Sequence, residues 1–564
     1  MGYGAGRTLE RVAAAVGMLD GAPIEFELVR DVPEAGVLFA LPALLENGLL
    51  SGIGKIFEMP VGFYPIETIF LLLALMALAR VPSLEQLRYV APGEWGKLLG
   101  LDRIPEVRTL REKISRLCSP KGRSERWSTE LARQWMADEG QSAGVFYADG
   151  HVRLYHGKLT NLPRRYVARQ RLCLRGTTDY WVNAMDGQPF FVVSHPVDPG
   201  LLQVLREEIV LRLLADAPSV PDAATLEADP YWSRFTIVFD REGYSPEFFQ
   251  DMKKLRIAIL TYHKHPGADW PQDEFSAQEV TLVHGEKVTL QLAERGVCLS
   301  NGLWLREVRN LCEKSGHQTS ILCTDFRCNI SQVGAAMFAR WCQENFFKYM
   351  REHFSIDRLT EYGTEPIPDT TRTVNPAWRQ LDSQIRRQNG LLQRENAAFG
   401  KIHLPADLDP VEMDSVERDK GALSETILAR KAQIQELKAK RKALPKHILV
   451  KDLPQDDGFQ QLRVDKKHFV DTIKLIAYRA ETAMSHILRE KINRKDDARS
   501  LLRQLYRSEA DLIPDHSNNT LTVHLHHLTN NAHDQAIAHL CDELTATETC
   551  FPGTRVASAS SRSM

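Results

Sequence analysis

The sequence predicts an α/β protein of the α+β kind, in which a mixed β-sheet core carries a β-rich insertion and is flanked by α-helical regions at both ends. Three observations predict this class. Apolar residues recur at three-to-four spacing up to about residue 135, they alternate between about residues 140 and 331, and helical spacing with many charges returns after about residue 360. With 564 residues and 43% hydrophobic content, the chain can bury a sizeable core and divide into several domains.

Composition narrows the function only a little. The formal net charge of -2 gives no global sign of a polyanionic partner, so a nucleic-acid surface has to come from locally segregated charge. The nine cysteines lack CxxC spacing, which predicts reduced thiols. The start of the chain has no signal-peptide pattern, and its most apolar run, residues 69–79, is shorter than the about 20 residues of a membrane span. We therefore expect a cytoplasmic protein without membrane contact, associated with the nucleoid when bound to DNA.

Residues 1–135 are predicted to form a helical domain. The predicted helices are residues 38–49, 66–80, 83–90 and 105–117. The last one starts favourably at Pro105 and carries Arg108 and Arg111, as a DNA-recognition helix would. The alternative, given equal weight, is a solvated basic face at a domain edge.

Residues 140–262 are predicted to hold the first part of the core, with three or four strands and then a helix, a strand, a helix and a strand, which completes a β-β-β-α-β-α-β order. The predicted strands are residues 145–149, 152–155, 181–184, 190–195, 235–239 and 256–260, and the predicted helices are residues 201–215 and 246–255. This is the element order of the RNase H-like fold. In that architecture the first and fourth strands lie side by side, so residues that end them are neighbours despite their separation in sequence.

The rest of the chain completes the core and adds a helical region. Residues 263–331 alternate like strands and are predicted to be a β-rich insertion, after which residues 332–362 return to the core with a helix at 335–353. Residues 363–564 are predicted to be helical. Their predicted elements are helices at 376–396, 423–443, 467–491 and 496–507, a late strand at 521–525 and a flexible tail at 556–564. The second of these helices is marginal for a coiled coil, and a helical hairpin is favoured.

Three carboxylates dominate the sequence. Asp149 and Asp240 each follow a short apolar run, and Glu344 lies in the predicted helix of residues 335–353. Two strand-terminal carboxylates and one helical carboxylate can converge on two Mg²⁺ or Mn²⁺ ions, which suit phosphoryl transfer. Each residue also has a plainer interpretation. Asp149 can close a hairpin with Gly150, Asp240 can cap the following helix, and Glu344 can pair on the surface with Arg340.

Basic residues are concentrated near these carboxylates. Residues 150–178 contain no acidic residue, which favours contact with a DNA backbone over a solvated loop. The candidate DNA-binding residues of this segment are Arg153, Lys158, Arg164, Arg165, Arg169 and Arg171. On the predicted helix, Arg340 and Arg351 share a face with Glu344 and can hold phosphates.

The segments around the three carboxylates resemble the acidic motifs of prokaryotic DDE transposases, most closely those of the insertion-sequence-four-like group. The matching segments are Tyr147-Ala148-Asp149-Gly150, residues 239–244 around Asp240, and residues 340–348 around Glu344, which add Arg241 and Lys348 to the candidate DNA-binding residues. The group's β-rich insertion before the glutamate matches residues 263–331. Its signature Tyr-x2-Arg-x3-Glu-x6-Lys/Arg is met by Arg340, Glu344 and Arg351, but Met337 replaces the tyrosine.

The resemblance implies a DNA transposase that uses two Mg²⁺ or Mn²⁺ ions to cut the ends of an insertion sequence and transfer its strands to target DNA. It further implies a DNA-end-binding domain in residues 1–135, a homodimer assembled on double-stranded DNA, and no small-molecule cofactor. The alternatives from the sequence are an RNase H-like nuclease without strand transfer, a catalytically decayed DNA-binding protein, and a helical scaffold protein.

Overall fold

The structure, a computed structural model, has the predicted α+β composition. It describes residues 6–139, 144–157, 162–167, 172–195, 197–218, 221–283, 285–358, 360–361, 363–402, 410–454, 458, 460–527 and 531–562. Among the helices of these residues, none combines the length and the apolar character needed to cross a membrane.

The N-terminal region is helical, apart from one short strand. Its elements are α1 (Thr8–Ala15), β1 (Val29–Val32), α2 (Leu41–Glu46), α3 (Ile53–Ile56), α4 (Ile66–Leu78), α5 (Pro92–Leu98), α6 (Val107–Leu117) and α7 (Arg123–Asp138). The predicted helix at residues 83–90 is a 3-10 helix, Leu84–Tyr89. Helix α4 is buried on all sides, because its apolar residues extend around the whole helix.

The central sheet follows in the predicted order of elements. They are β2 (Val145–Leu154), β3 (Arg164–Val167), β4 (Leu172–Asn183), β5 (Pro189–His195), α8 (Leu201–Val204), α9 (Val210–Asp216), α10 (Ala223–Ala228), β6 (Thr236–Phe239), α11 (Pro246–Lys254) and β7 (Ala258–Tyr262). A π-helical segment, Leu205–Ile209, joins α8 to α9. The strands lie in the order β5-β4-β2-β6-β7, with β2, β6 and β7 parallel and β4 antiparallel to β2 and β5. The predicted adjacency of the first strand and the strand ending at Asp240 is therefore confirmed.

The predicted turn at Asp149-Gly150-His151 is wrong. These residues lie inside β2, which runs unbroken from Val145 to Leu154. The partner of β2 is the long strand β4, which pairs with it from Tyr147 to Leu154. An Asp-Gly pair is a turn signal by local preference, but its pairing with Trp181 and Tyr180 of β4 keeps this one extended.

The insertion extends the same sheet. Strands β8 (Ser276–Thr281), β9 (Lys287–Cys298), β10 (Trp304–Leu311) and β11 (Gln318–Cys323) are antiparallel, and β11 pairs with β7. The predicted helix of residues 335–353 is two helices, α12 (Ile330–Phe338) and α13 (Arg340–His353), divided at Ala339. Helix α12 packs on the insertion strands, whereas α13 packs on β2.

The C-terminal region contains a helical hairpin, a buried helix and a second sheet. Its elements are β12 (Thr364–Glu365), β13 (Arg372–Val374), α14 (Pro376–Lys401), α15 (Pro410–Lys442), β14 (His447–Leu449), β15 (Gln461–Leu462), α16 (Asp465–Arg489), α17 (Ala498–Leu505), β16 (Ala510–Asp515), β17 (Thr520–Leu525), α18 (Asn531–Ala546) and β18 (Ala557–Arg562). The tail predicted to be flexible forms β18 over residues 557–562, because it pairs in parallel with β17. Such long-range pairing leaves no signal in a short run of small residues.

The two ends of the chain pack together. Helix α16 contacts α2, α4 and α7, and the Phe469 ring lies 5.1 Å from the Phe70 ring and 5.9 Å from the Trp127 ring. Strand β1 also pairs with β16. One continuous apolar core thus joins the N-terminal helices, α16 and one face of the central sheet.

Candidate active site

Two of the candidate carboxylates are side by side at the junction of β2 and β6. These strands are parallel with Ala148 opposite Phe239, so the next residues, Asp149 and Asp240, stand at the same level on adjacent strands. The Gly150 amide donates to Asp149 Oδ1 at 2.8 Å, and the Arg241 amide donates to Asp240 Oδ1 at 2.6 Å. Asp240 caps the short 3-10 turn Arg241–Gly243, not the helix that begins at Pro246.

Helix α13 brings the third carboxylate to this junction through a buried side chain that the sequence analysis missed. Gln343 Nε2 lies 2.8 Å from Asn183 Oδ1, 3.1 Å from the Tyr147 carbonyl oxygen and 3.3 Å from the Trp181 carbonyl oxygen. The Gln343 amide therefore fixes the helix against β2 and β4. The adjacent residue, Glu344, is exposed on the side of Arg340.

Arg340 links the carboxylates. Its Nη2 donates to Glu344 Oε1 at 2.6 Å, and its Nη1 lies 3.9 Å from Asp149 Oδ2. The guanidinium carbon is 5.5 Å from the centre of the Tyr262 ring, and that of Arg241 is at the same distance. Tyr262, at the end of β7, is a second residue of the site that the sequence analysis missed.

The electrostatics of the site favour a bound cation. The pKa of the Asp149 carboxyl is raised to about 6, mainly by burial and in smaller part by Asp240 and Glu242, although Arg340 and the Gly150 amide act to lower it. The pKa of Glu242 is likewise raised, by burial and by Asp198 and Asp240. These shifts disfavour the charged forms of Asp149 and Glu242, so a cation bound beside them would offset part of this cost.

The donor set fits hard divalent ions, but the three residues do not close around one point. In the described part of the chain, only Asp31, Asp511 and His526 have ligand atoms that all lie within 4.8 Å of one another. A pair of metal ions about 3.5–4 Å apart is served by a wider set than a single ion. Asp149 in the middle, with Asp240 on the next strand and Glu344 on the helix, provides such a set of oxygen ligands.

Three basic residues near the carboxylates were predicted to contact DNA, and they lie in two different places. Lys348 is exposed on α13 and Arg241 is exposed beside Asp240. Arg351 lies eleven residues beyond Arg340, about 16 Å along the helix. Burial there acts to raise the pKa of the Asp357 carboxyl, but His151 and Arg351 lower it, and the net shift is downward. The signature position that lacks a tyrosine, Met337, is buried in the core.

Arg153, which was predicted to bind DNA, is engaged inside the fold. Arg153 is 4% exposed, and its Nη2 donates to Asp179 Oδ1 at 2.8 Å across β2 and β4. It shares one face of β2 with Asp149 and His151, since alternate strand residues point the same way. Charge segregation along the sequence did not reveal this pair, because Asp179 lies just beyond the acid-free segment.

The other basic residues are exposed or lie outside the described chain. Arg164 is exposed on β3, Arg108 pairs with Glu112 at 3.2 Å on α6, and Arg111 pairs with Glu85. The side chains of Lys158, Arg165, Arg169 and Arg171 lie outside the described residues.

A cavity of about 1090 Å³ lies elsewhere, between α4, the end of β2 and α16. Leu73, Leu154 and Lys474 are among its lining residues, and none of the three candidate carboxylates is. At the acidic site, by contrast, Glu344 is exposed and Asp149 and Asp240 are half-buried.

Adjacent carboxylates on parallel strands, faced by an arginine and a glutamate of one helix, form an acidic site whose side chains are of the types that bind divalent ions and phosphate. Residues 2–560, nearly the whole chain, match the model of a family described as Transposase protein, and the chain belongs to that family. Its family-level function is therefore DNA transposition, which entails DNA binding. No curated protein matches the sequence.

Proposed function

We propose that this transposase is a DDE enzyme of the insertion-sequence-four-like group, with an RNase H-like core that cuts element ends and transfers the strands to target DNA. The observation that carries the proposal is the pairing of Asp149 and Asp240 at one level on adjacent parallel strands. The strand order β5-β4-β2-β6-β7 and the β-rich insertion between Asp240 and Glu344 support it.

The chemistry follows from the positions of the side chains. Asp149, Asp240 and Glu344 would hold two Mg²⁺ or Mn²⁺ ions, which supply activation of the attacking oxygen and stabilisation of the leaving oxygen. Arg340 is the first residue of α13 and already contacts two of these carboxylates, so it is placed to position a phosphate beside them. Arg241 and Lys348 extend the positive charge on either side.

The same active site can serve both steps. Hydrolysis at the element end frees a 3′-hydroxyl, and the carboxylates then orient that hydroxyl toward a target phosphate, with no covalent bond to the protein. Two element ends have to be joined to one target, which requires at least two active sites. We therefore propose a homodimer assembled on DNA, with a DNA-end-binding role for the N-terminal helices.

Cleavage of a DNA fragment that carries the ends flanking this protein's gene tests the proposal. Asp149→Asn, Asp240→Asn and Glu344→Gln should each lower Mn²⁺-dependent nicking at least 100-fold, since each removes a metal ligand without changing shape. Glu352→Gln is the matched control, because Glu352 is an exposed carboxylate on the same helix. It should keep wild-type activity.

The products separate the alternatives. Nicked ends joined to a target plasmid are expected for a transposase, whereas nicks without joining would identify a nuclease. Binding of the ends with no metal-dependent nicking by the wild type would refute the catalytic assignment and leave a decayed DNA-binding protein.

A further inference from the structure

The hairpin of α14 and α15 carries charge that the active site does not use. The two helices are antiparallel and bury Ile385, Ile427 and Ile434 between them. Arg430 bonds to Gln388 and Glu395, and Arg441 bonds to Asp382, so these two arginines face α14. These contacts set residue 382 level with residue 441 and fix the register of the pair.

Charge is separated along α15. Residues 410–425 contain five acidic and two basic residues, whereas residues 426–442 contain six basic residues and one acidic residue, Glu436. The half of the hairpin near the body of the protein is therefore strongly basic. A helix charged only for solubility would mix the two signs.

Three lysines of the basic half form one stripe. Lys431, Lys438 and Lys442 are separated by seven and four residues, so they project from one side of the helix, and all three are exposed. In the described part of the chain they have no ion-pair partner. Lys438 and Lys442 are like charges four residues apart, an arrangement that costs a helix a few tenths of a kcal/mol.

Helix α14 adds two arginines on the same side of the hairpin, of which Arg386 also pairs with Asp382 of its own helix at 2.8 Å. Lys431 follows Arg430, Lys442 follows Arg441 and Arg386 follows Ile385, so each is turned about 100° from a residue that faces the other helix. Because the helices are antiparallel, the residue that follows a contact residue points to the same side of the hairpin on either helix. Arg379, seven residues before Arg386, shares that side and is exposed. We call these five residues, Arg379, Arg386, Lys431, Lys438 and Lys442, the basic flank.

We propose that the basic flank binds the phosphate backbone of double-stranded DNA without reading its sequence, an inference that rests on the proposed function. Residues 431–442 extend over about 17 Å of helix, a length of duplex that bears about ten phosphate charges. The residues are lysines and arginines on a convex surface, which suits backbone contact and gives no means of reading base edges. The flank is thus a DNA contact separate from the carboxylate site.

The salt dependence of binding tests this inference. Lys431→Gln, Lys438→Gln and Lys442→Gln are combined in the full-length protein, and its affinity for 30-bp duplexes is measured by fluorescence anisotropy across salt concentrations. We expect about tenfold weaker binding at low salt and a plot of log affinity against log salt that is shallower by about two to three, with the same change on an unrelated duplex.

The matched control removes three positive charges elsewhere on the hairpin, by Arg387→Gln, Arg418→Gln and Lys440→Gln. Arg387 is exposed on α14 and is turned about 200° from Ile385, Arg418 lies in the acidic half of α15, and Lys440 pairs with Glu436 at 2.6 Å on the other side of the hairpin. This control should keep the wild-type slope. Equal slopes for the flank variant and the wild type would overturn the inference while leaving the proposed function intact if the wild type still cuts DNA. Failure of the wild type to bind any duplex would overturn both.

Discussion

Gln343→Leu tests whether one buried amide positions Glu344, the glutamate proposed to bind metal. Gln343 is 1% exposed, and its Nε2 lies near three acceptors, of which Asn183 Oδ1 is the closest at 2.8 Å. Leucine has nearly the same volume, so the change removes the hydrogen bonds with little cavity. It also leaves the fully buried Asn183 oxygen without this donor.

The expected cost follows from those contacts. Two amide hydrogens lose net contributions of about 0.5–1.5 kcal/mol each, and the unsatisfied Asn183 oxygen costs about 1–3 kcal/mol, against which the added apolar burial returns about 1 kcal/mol. Together these contributions give about 1–5 kcal/mol of destabilisation, centred near 3 kcal/mol. Helix α13 should also loosen on β2 and β4, so Mn²⁺ affinity measured by calorimetry should fall, although Gln343 touches no metal.

Urea unfolding followed by tryptophan fluorescence measures the first effect. Gln203→Leu is the matched control, because Gln203 makes one hydrogen bond at an exposed helical position and its loss should stay within about 0.5 kcal/mol. If both variants unfolded at the same urea concentration, or if Gln343→Leu bound Mn²⁺ as the wild type does, the amide would not position the site.

Three further predictions concern ionisable groups. Metal-dependent cleavage should decline as pH falls through about 6, because burial raises the pKa of Asp149 to about 6 and the protonated acid cannot bind metal. More Mn²⁺ should move the midpoint of this decline to lower pH. A midpoint near pH 4 at low Mn²⁺ would contradict this account. Arg153→Met should destabilise the fold by about 3–5 kcal/mol in urea unfolding, because it leaves the buried Asp179 carboxylate without its ion-pair partner, and adding Asp179→Leu should restore part of that loss. If Arg153 instead contacted DNA, the substitution would change the salt dependence of DNA affinity. Burial lowers the pKa of Lys474 to about 7, so between pH 7 and 9 the unfolded chain binds more protons at this lysine than the folded chain does. The wild type should therefore gain roughly 2 kcal/mol of stability relative to Lys474→Met over this range. Parallel stability profiles of the two proteins would refute this.

Helices and strands could be predicted from the sequence where the local pattern of apolar and turn residues agrees with the contacts that the element makes in the fold. Strand β6, the following helix and strand β7 lie within two residues of their predicted limits, because an apolar run, a Ser-Pro helix start and a second apolar run follow one another there. The adjacency of Asp149 and Asp240 could be predicted from the element order alone. Strand β2 was predicted as two strands and strand β18 as part of a flexible tail, because both strands are stabilised by pairing with strands that are distant in the sequence.

The parts of the site that were missed depend on contacts across the fold. Tyr262 reaches Arg340 only because β7 lies two strands from β2. Gln343 did leave a signal: it shares the apolar stripe of α13 with Phe346, Phe347 and Met350, and a polar residue on such a stripe needs a buried partner. Its partner could not be named, because Asn183 is 160 residues away.

These contacts give the three carboxylates unequal freedom. The backbones of Asp149 and Asp240 are held close together by the parallel pairing of β2 and β6, which ends at the residue before each aspartate. Glu344 sits on a helix whose main polar anchor to that sheet is one amide, and its carboxylate is engaged by Arg340. Repositioning of α13 would therefore change the distance from the glutamate to the aspartates and leave the aspartate pair intact. Under the proposed function, metal affinity is therefore expected to respond to substitutions in α13 more strongly than to substitutions in the strands that leave the sheet intact.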